Sequence, residues 1–346
     1  MAKVELAVGS EIGIESAEWN DFLTHTDSAN FYLRHEWGEV ISSVFGHEVI
    51  RIVARSAGGV VGVLPLVRMK TRLFGHMMVS MPFLNFGGVA SGCTRATLSM
   101  LEEACRIARA HGCDYLELRS RRPLDKEPVG THKVNMALEL PAGHEDLWNS
   151  FSSKHRTNIR RAYKNGVTTE FGGREFIPDF YRMMERSWRS LGTPLYSRRF
   201  FDKIFDFLGP HCRIYLARAE GQVIGAALNG HFRDTVEGIW AAGDPKARDL
   251  QANYVLYWEM LRTACDDGFK RYHLGRSTVG SGAQKFKEKW GAQAEQLYWV
   301  YDLPQGRNIP NLRPENPRYH LAMNIWKRMP LLVLRLLGPQ IARQIP

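Results

Sequence analysis

Three groups of residues have types and spacings suited to chemistry. Arg156, Arg160 and Lys164 fall four apart, with Lys154 and Arg161 beside them. On a helix that spacing makes one basic stripe, and its guanidinium groups can engage phosphates bidentately. A solvated helix face is the bland alternative. Lys285 and Lys287 flank Phe286 after a Gly-Ser-Gly turn at Gly280–Gly282. Such a turn lets backbone approach a ligand, and the ammonium groups can neutralise phosphate or stabilise an oxyanion; plain surface charge is the alternative. Glu237, Glu117, His273 and His231 lie in strand-like segments and are candidates for moving a proton, although such a strand residue more often has a satisfied structural role. Arg276 closes a strand-like run and is a candidate substrate contact. Glu36 and Trp37, in YLRHEWGEV, are candidates for the wall of an acceptor site, or for core.

Other chemistries find no support. The chain has no H-E-x-x-H, G-x-S-x-G, Walker A or Rossmann G-x-G-x-x-G pattern, and no Cys/His cluster with metal-ligand spacing. Zinc enzymes and hydrolases of those types are poor readings, and no tightly bound cofactor is expected. The five cysteines are scattered and odd in number, which points to free thiols, with Cys105 and Cys265 on apolar helix faces. A net charge of +10 favours an anionic partner. MAKVELAVGS lacks the apolar core of a signal peptide, and no stretch reaches the roughly 20 apolar residues of a spanning helix. The expectation is a cytoplasmic protein.

At 346 residues the chain is long for one core and comfortable for two. Helices are expected over Glu15–Thr24, Ala29–Phe45 and Thr94–His111, the last with Leu98, Leu101, Cys105 and Ala108 on its inward face. A hairpin is expected over Glu48–Val67, then a basic connection Arg68–Arg72, a strand in Val79–Ala90, and a strand Asp114–Arg119. The second half reads as a basic helix Ser153–Asn165, helices Glu175–Leu191 and Arg198–Leu208, a hairpin Cys212–Phe232, a strand Thr235–Ala242, a helix Gln251–Cys265 and a strand Arg271–Leu274. Gly306–Pro317 reads as linker. Trp326–Leu337 reads as a short, very apolar helix among basic residues, packing on the second domain or touching a membrane peripherally.

The halves repeat one another. Ala54–Gly62 (ARSAGGVVG) and Ala217–Gly225 (ARAEGQVIG) share five of nine residues. Helix–Gly–strand recurs as HGCDYLELRS and DGFKRYHLGRS. An internal duplication of one α/β (α+β) domain follows, with expected boundaries 1–143, 144–304 and, for linker plus amphipathic helix, 305–346.

The order hairpin, strand, helix, strand resembles an acetyltransferase of the GNAT superfamily. With the duplication, Lys285-Phe286-Lys287 followed by Trp290-Gly291 resembles the FemAB/FemX group. KHRTNIRRA (Lys154–Ala162) and PFLNFGG (Pro82–Gly88) resemble more closely the FemAB-related proteins that accompany exosortase/PEP-CTERM and exopolysaccharide systems. That resemblance implies two tandem GNAT-like domains, each a mixed, mainly antiparallel sheet flanked by helices. It implies acyl or aminoacyl transfer to an amine of a nucleotide- or lipid-linked envelope precursor, with aminoacyl-tRNA or acyl-CoA as co-substrate, tRNA as a partner and no DNA. It assigns the segment around Lys285, Lys287 and Trp290 to the donor and catalysis. A GNAT pyrophosphate loop reads R/Q-x-x-G-x-G/A; Arg248–Asn253 lacks its glycine, and Asn85, Gly87 and Gly88 come nearer to it. Two other readings remain open: an acyl-CoA-dependent N-acetyltransferase, and a non-catalytic RNA- or polysaccharide-binding protein.

Overall fold

The computed structural model describes residues 6–126, 128–309 and 317–346. The chain divides into two compact units: residues 1–134, 296–310 and 344–346 form the first, and residues 135–295 and 311–343 the second. The division falls at Val134/Asn135, within the strand Val129–Glu139.

The first unit contains β1 (Ala7–Gly9), α1 (Ser16–Thr24), α2 (His35–Phe45), β2 (Glu48–Ser56), β3 (Gly59–Thr71), β4 (Gly75–Val79), β5 (Ala90–Ser91), α3 (Thr94–Ala110) and β6 (Tyr115–Ser120). Strand β7 (Val129–Glu139) runs on into the second unit. There follow α4 (His144–Ser150), α5 (Ser153–Lys164), β8 (Thr168–Gly172), α6 (Ile177–Leu191), α7 (Arg198–Leu208), β9 (Cys212–Ala219), β10 (Gln222–Phe232), β11 (Thr235–Gly243), α8 (Ala252–Asp266), β12 (Arg271–Thr278) and α9 (Gly282–Glu288). Strand β13 (Gln293–Asp302) returns to the first unit, and α10 (Pro317–Arg328) and α11 (Leu331–Ala342) belong to the second.

The strand order is β1-β2-β3-β4-β6-β13 in the first unit, with β5 beside β3, and β8-β9-β10-β11-β12-β7 in the second. The hairpin pairs are antiparallel, whereas β4–β6 and β11–β12 are parallel. Mixed, mostly antiparallel sheets flanked by helices are the expected fold class. The strand beside β6 comes from near the end of the chain and the one beside β12 from its middle.

The duplication extends to register. Ala54 pairs with Gly62 and Ala217 with Gly225; at the next pair, Arg55–Val60 and Arg218–Val223, the register slips. Val61 and Ile224 are thus the same bulge at the same place. Each glycine lies under the helix that follows. A Cβ on Gly62 would meet Met100 Cε at 2.4 Å, and one on Gly225 would meet Leu256 Cδ2 at 3.4 Å. Glu220 and Gly221, both with positive φ, make the second hairpin's two-residue turn.

Several expected elements shift. Phe31–Leu33 is a 3₁₀ turn, with the Asn30 side chain accepting from the Tyr32 N–H, so α2 starts only at His35. Arg68–Thr71 continues β3 instead of forming a connection. The strand expected in Val79–Ala90 lies earlier, in β4, and residues 80–89 are irregular. Leu98 is exposed, while Met100, Leu101, Ala104, Cys105 and Ala108 form the inward face of α3. The segment Lys285–Lys287 sits on α9, capped by Ser281, whose Oγ accepts from the Gln284 N–H at 3.2 Å. Helix α11 runs through Gly338 and Pro339 instead of ending there. Of the expected linker, residues 310–316 lie outside the described residues, as do residues 1–5 of the N-terminus.

Candidate functional site

The functional geometry of the second unit centres on the place where two parallel strands stop pairing. Strands β11 and β12 pair from Thr235–Arg271 to Glu237–His273. Both then continue, to Gly243 and Thr278. Two local features coincide with the end of pairing. Ile239 is bulged out of the β10–β11 ladder, where Leu228–Trp240 is followed by Asn229–Gly238. On β12, Gly275 has φ +82°, a conformation that only glycine takes without strain, and it redirects the strand.

Lys287 is tied to that bend. Its Nζ donates to the Gly275 carbonyl at 2.8 Å and to the Arg276 carbonyl at 3.1 Å. The side chain is buried. Burial, reinforced by the Arg276 charge, lowers its pKa to about 7. A neutral amine has two N–H groups and one lone pair; two carbonyl contacts match the two donors and leave the lone pair unused. Arg276 is half-buried beside it, and Lys285, on the same helix, is exposed.

Glu237 and His273 form a buried pair across the last paired rung, with Nδ1 and Oε1 2.8 Å apart. Glu237 is thus buried and held against His273 rather than open to solvent. Trp290 is also fully buried, against His155 with ring centroids 4.3 Å apart, and against Phe151 and Tyr257. It is core, in the turn just after α9, where its backbone N–H donates to the Lys287 carbonyl. His155, near the start of α5, is buried there too, and burial plus the charge of Lys289 lowers its pKa to about 4. Past His155, the helix presents the basic stripe: Lys154, Arg160 and Lys164 are exposed, Arg156 is half-buried, and Arg160 lies over the Trp148 ring at 5.2 Å. His231 is half-buried against Phe269, and burial lowers its pKa to about 4.

The first unit treats the corresponding place differently. Strands β4 and β6 pair from Met77–Tyr115 to Val79–Glu117. Residues 80–88 then fold against the end of β6: the Ser80 N–H donates to the Glu117 carbonyl and the Gly87 N–H to the Arg119 carbonyl, both at 2.9 Å. Ser80 Oγ accepts from the Arg119 N–H at 2.8 Å and the Gly88 N–H at 3.3 Å. Asn85, Gly87 and Gly88 are therefore packing rather than an open phosphate loop. A Cβ on Gly87 would meet Met81 Cβ at 2.8 Å, and Asn85 Nδ2 donates to the Tyr32 hydroxyl at 2.7 Å. Glu117 is buried and paired with Arg119 at 2.7 Å. Trp37 is core, fully buried, with Nε1 donating to the Phe31 carbonyl at 3.1 Å, so it offers no wall to a ligand. Glu36 is held by Arg34 and Asn20.

Sequence reasoning missed the importance of Gly275 and the burial of Lys287. Gly275 had a visible signal, since it replaces Leu118 when YHLGRS is aligned with YLELRS. Gln251 is a further such position. It takes φ +58° just before α8, in the segment where the GNAT loop carries glycine.

This arrangement defines a class. Residues 151–288 match the family model described as an acetyltransferase (GNAT) domain. The match lies wholly in the second unit and ends on α9. A comparison with curated proteins found no match. Among solved structures, that of FemX is similar, with TM-score 0.66 and 16% identity over 92% of this chain and 100% of that one. A conserved protein of unknown function from Bacteroides thetaiotaomicron is similar with TM-score 0.59 and 10% identity over 87% and 100%. L-PGS from Bacillus licheniformis follows with TM-score 0.54 and 16% identity over 95% and 99%. These likenesses establish the fold.

Proposed function

We propose that the chain is an N-acyltransferase or aminoacyltransferase. Its acceptor is an amine on a nucleotide- or lipid-linked precursor of the cell envelope or of an exopolysaccharide. The observation that carries this reading is the parting of β11 and β12 after Glu237 and His273, with Lys287 fixed at the bend. Fold likeness to FemX supports the aminoacyl version, and likeness to proteins that accompany exosortase systems in PFLNFGG and KHRTNIRRA supports the exopolysaccharide setting.

The donor lies along the parted strands. The acceptor nitrogen attacks the donor's acyl carbonyl carbon; the bond to the donor's oxygen or sulfur breaks as the amide forms, and the departing group takes up the electron pair. Neutral Lys287 takes the proton released by the amine. Arg276 and Lys285 offset the charge of the donor, and Lys154, Arg156, Arg160 and Lys164 hold the acceptor's phosphates. Glu237 fixes the orientation of His273. No covalent enzyme intermediate is needed, because the donor arrives activated.

A specific observation favours one second reading, acyl-CoA as donor. The matched family is described as acetyltransferase, and Gln251 takes φ +58° in the segment that aligns with the GNAT loop. A thermal-shift titration with coenzyme A separates the two donors. Transfer itself is tested by replacing the lysines. Lys287→Ala is expected to slow acyl transfer about 10²-fold, and Lys285→Ala less than tenfold. Unchanged turnover in both variants would remove the site from this place.

A further inference from the structure

Helices α10 and α11 pack on the second unit in an inverted manner. Their contacts with the unit include close approaches at glycines: a Cβ on Gly338 would meet the Leu195 carbonyl oxygen at 3.2 Å, and one on Gly192 would meet the Met323 carbonyl oxygen at 2.8 Å. Gly338 and Ala342 are buried, with Trp326. Trp326 packs inward, and Leu331 and Leu334 line a cleft with Tyr181 and Leu195, but other large apolar residues point outward. Leu332 is 76% exposed, Leu336 73% and Leu321 70%, with Ile325, Val333 and Leu337 also exposed. On α11 the exposed positions 332, 333, 336 and 337 make one helical face, and on α10 positions 321 and 325 do the same. A bidentate ion pair pins α11 in this orientation: Arg335 Nε and Nη2 lie 2.7 and 2.9 Å from the Glu185 carboxylate oxygens.

Charge identifies what covers the face. From residue 317 to the end the sequence contains Arg318, Lys327, Arg328, Arg335 and Arg343, and no Asp or Glu. Lys327, Arg328 and Arg343 are exposed. A second copy of the chain would bring like charges together across a two-fold contact. No helix among the described residues is long and apolar enough to cross a membrane. We propose that α10 and α11 form a docking surface for a bilayer containing anionic lipid, lying in its interfacial plane with Leu321, Leu332 and Leu336 in the acyl boundary and Lys327, Arg328 and Arg343 at the headgroups.

The test uses the full chain with phosphatidylcholine vesicles, with and without about one-third phosphatidylglycerol. The wild type is expected to sediment with the anionic vesicles at least about tenfold more tightly than with the zwitterionic ones, and less so as salt rises. Leu332→Glu with Leu336→Glu is expected to abolish binding without lowering the melting temperature, since both sites are exposed. Lys327→Glu with Arg328→Glu is expected to remove the preference for anionic vesicles. Absence of wild-type binding, or binding unaffected by the leucine substitutions, would overturn the proposal. So would a lipid-free dimer that those substitutions dissociate. Acyl transfer assayed on a water-soluble acceptor is independent of all these outcomes.

Discussion

Strands β6 and β12 are two copies of one element, YLELRS and YHLGRS, and they end in opposite ways. Strand β6 pairs in parallel with β4 and β12 with β11, each for three residues. Beyond that point β6 is sealed. Residues 80–88 cover it, and Arg119 is buried beside Glu117 with its guanidinium over the Trp299 ring, 4.5 Å from the ring centroid. The seal includes strain, since Met81 and Phe83 both take positive φ. In β12 the matching leucine is glycine; the strand bends, and the matching arginine, Arg276, stays half-buried beside the amine of Lys287. Arg119 is thus a buried partner of Glu117, whereas Arg276 keeps part of its surface exposed.

Replacing the buried partner should give the largest effect. Arg119→Leu leaves Glu117 buried without its cation and is expected to cost about 3 kcal/mol, read from urea midpoints. Arg276→Leu should leave the midpoint within about 0.5 kcal/mol. A smaller effect follows from Lys287. Its ordinary pKa is 10.5, and burial brings it to about 7 in the folded chain. Between those values the unfolded chain holds a proton that the folded chain lacks, so raising the pH favours folding. Wild-type stability should rise by about 2 kcal/mol between pH 7 and 9 relative to Lys287→Met, measured by urea unfolding. The smallest effect belongs to α5. Arg156→Ala with Arg160→Ala should raise KM for a phosphate-bearing acceptor about tenfold with kcat unchanged, and should flatten its salt dependence.

Much of this contrast was legible in the sequence where it depends on local pattern. The hairpin at Cys212–Phe232, the helix Arg198–Leu208 and the repeat at Ala54–Gly62 follow from turn residues and periodicity, which act over a few positions. Burial at long range was not legible. PFLNFGG reads as a ligand loop because its glycines allow close approach; what approaches is the backbone of β6, supplied from 30 residues further along. Trp37 reads equally as wall or core until Phe31 is placed against it. Lys287 and Lys285 look alike in K-F-K, and only the helical phase of α9 sends one inward and the other out. The strand beside β12 comes from β7, a pairing that no local pattern specifies.

The central claim is that the open end in the second unit, and not the sealed end in the first, performs the transfer. Single-turnover acyl transfer by Arg276→Leu and Arg119→Leu, normalised to folded protein, tests it most directly. Arg276→Leu is expected to lose at least about tenfold in rate, and Arg119→Leu to keep the wild-type rate per folded molecule. Full activity in Arg276→Leu together with an inactive but folded Arg119→Leu would contradict the account.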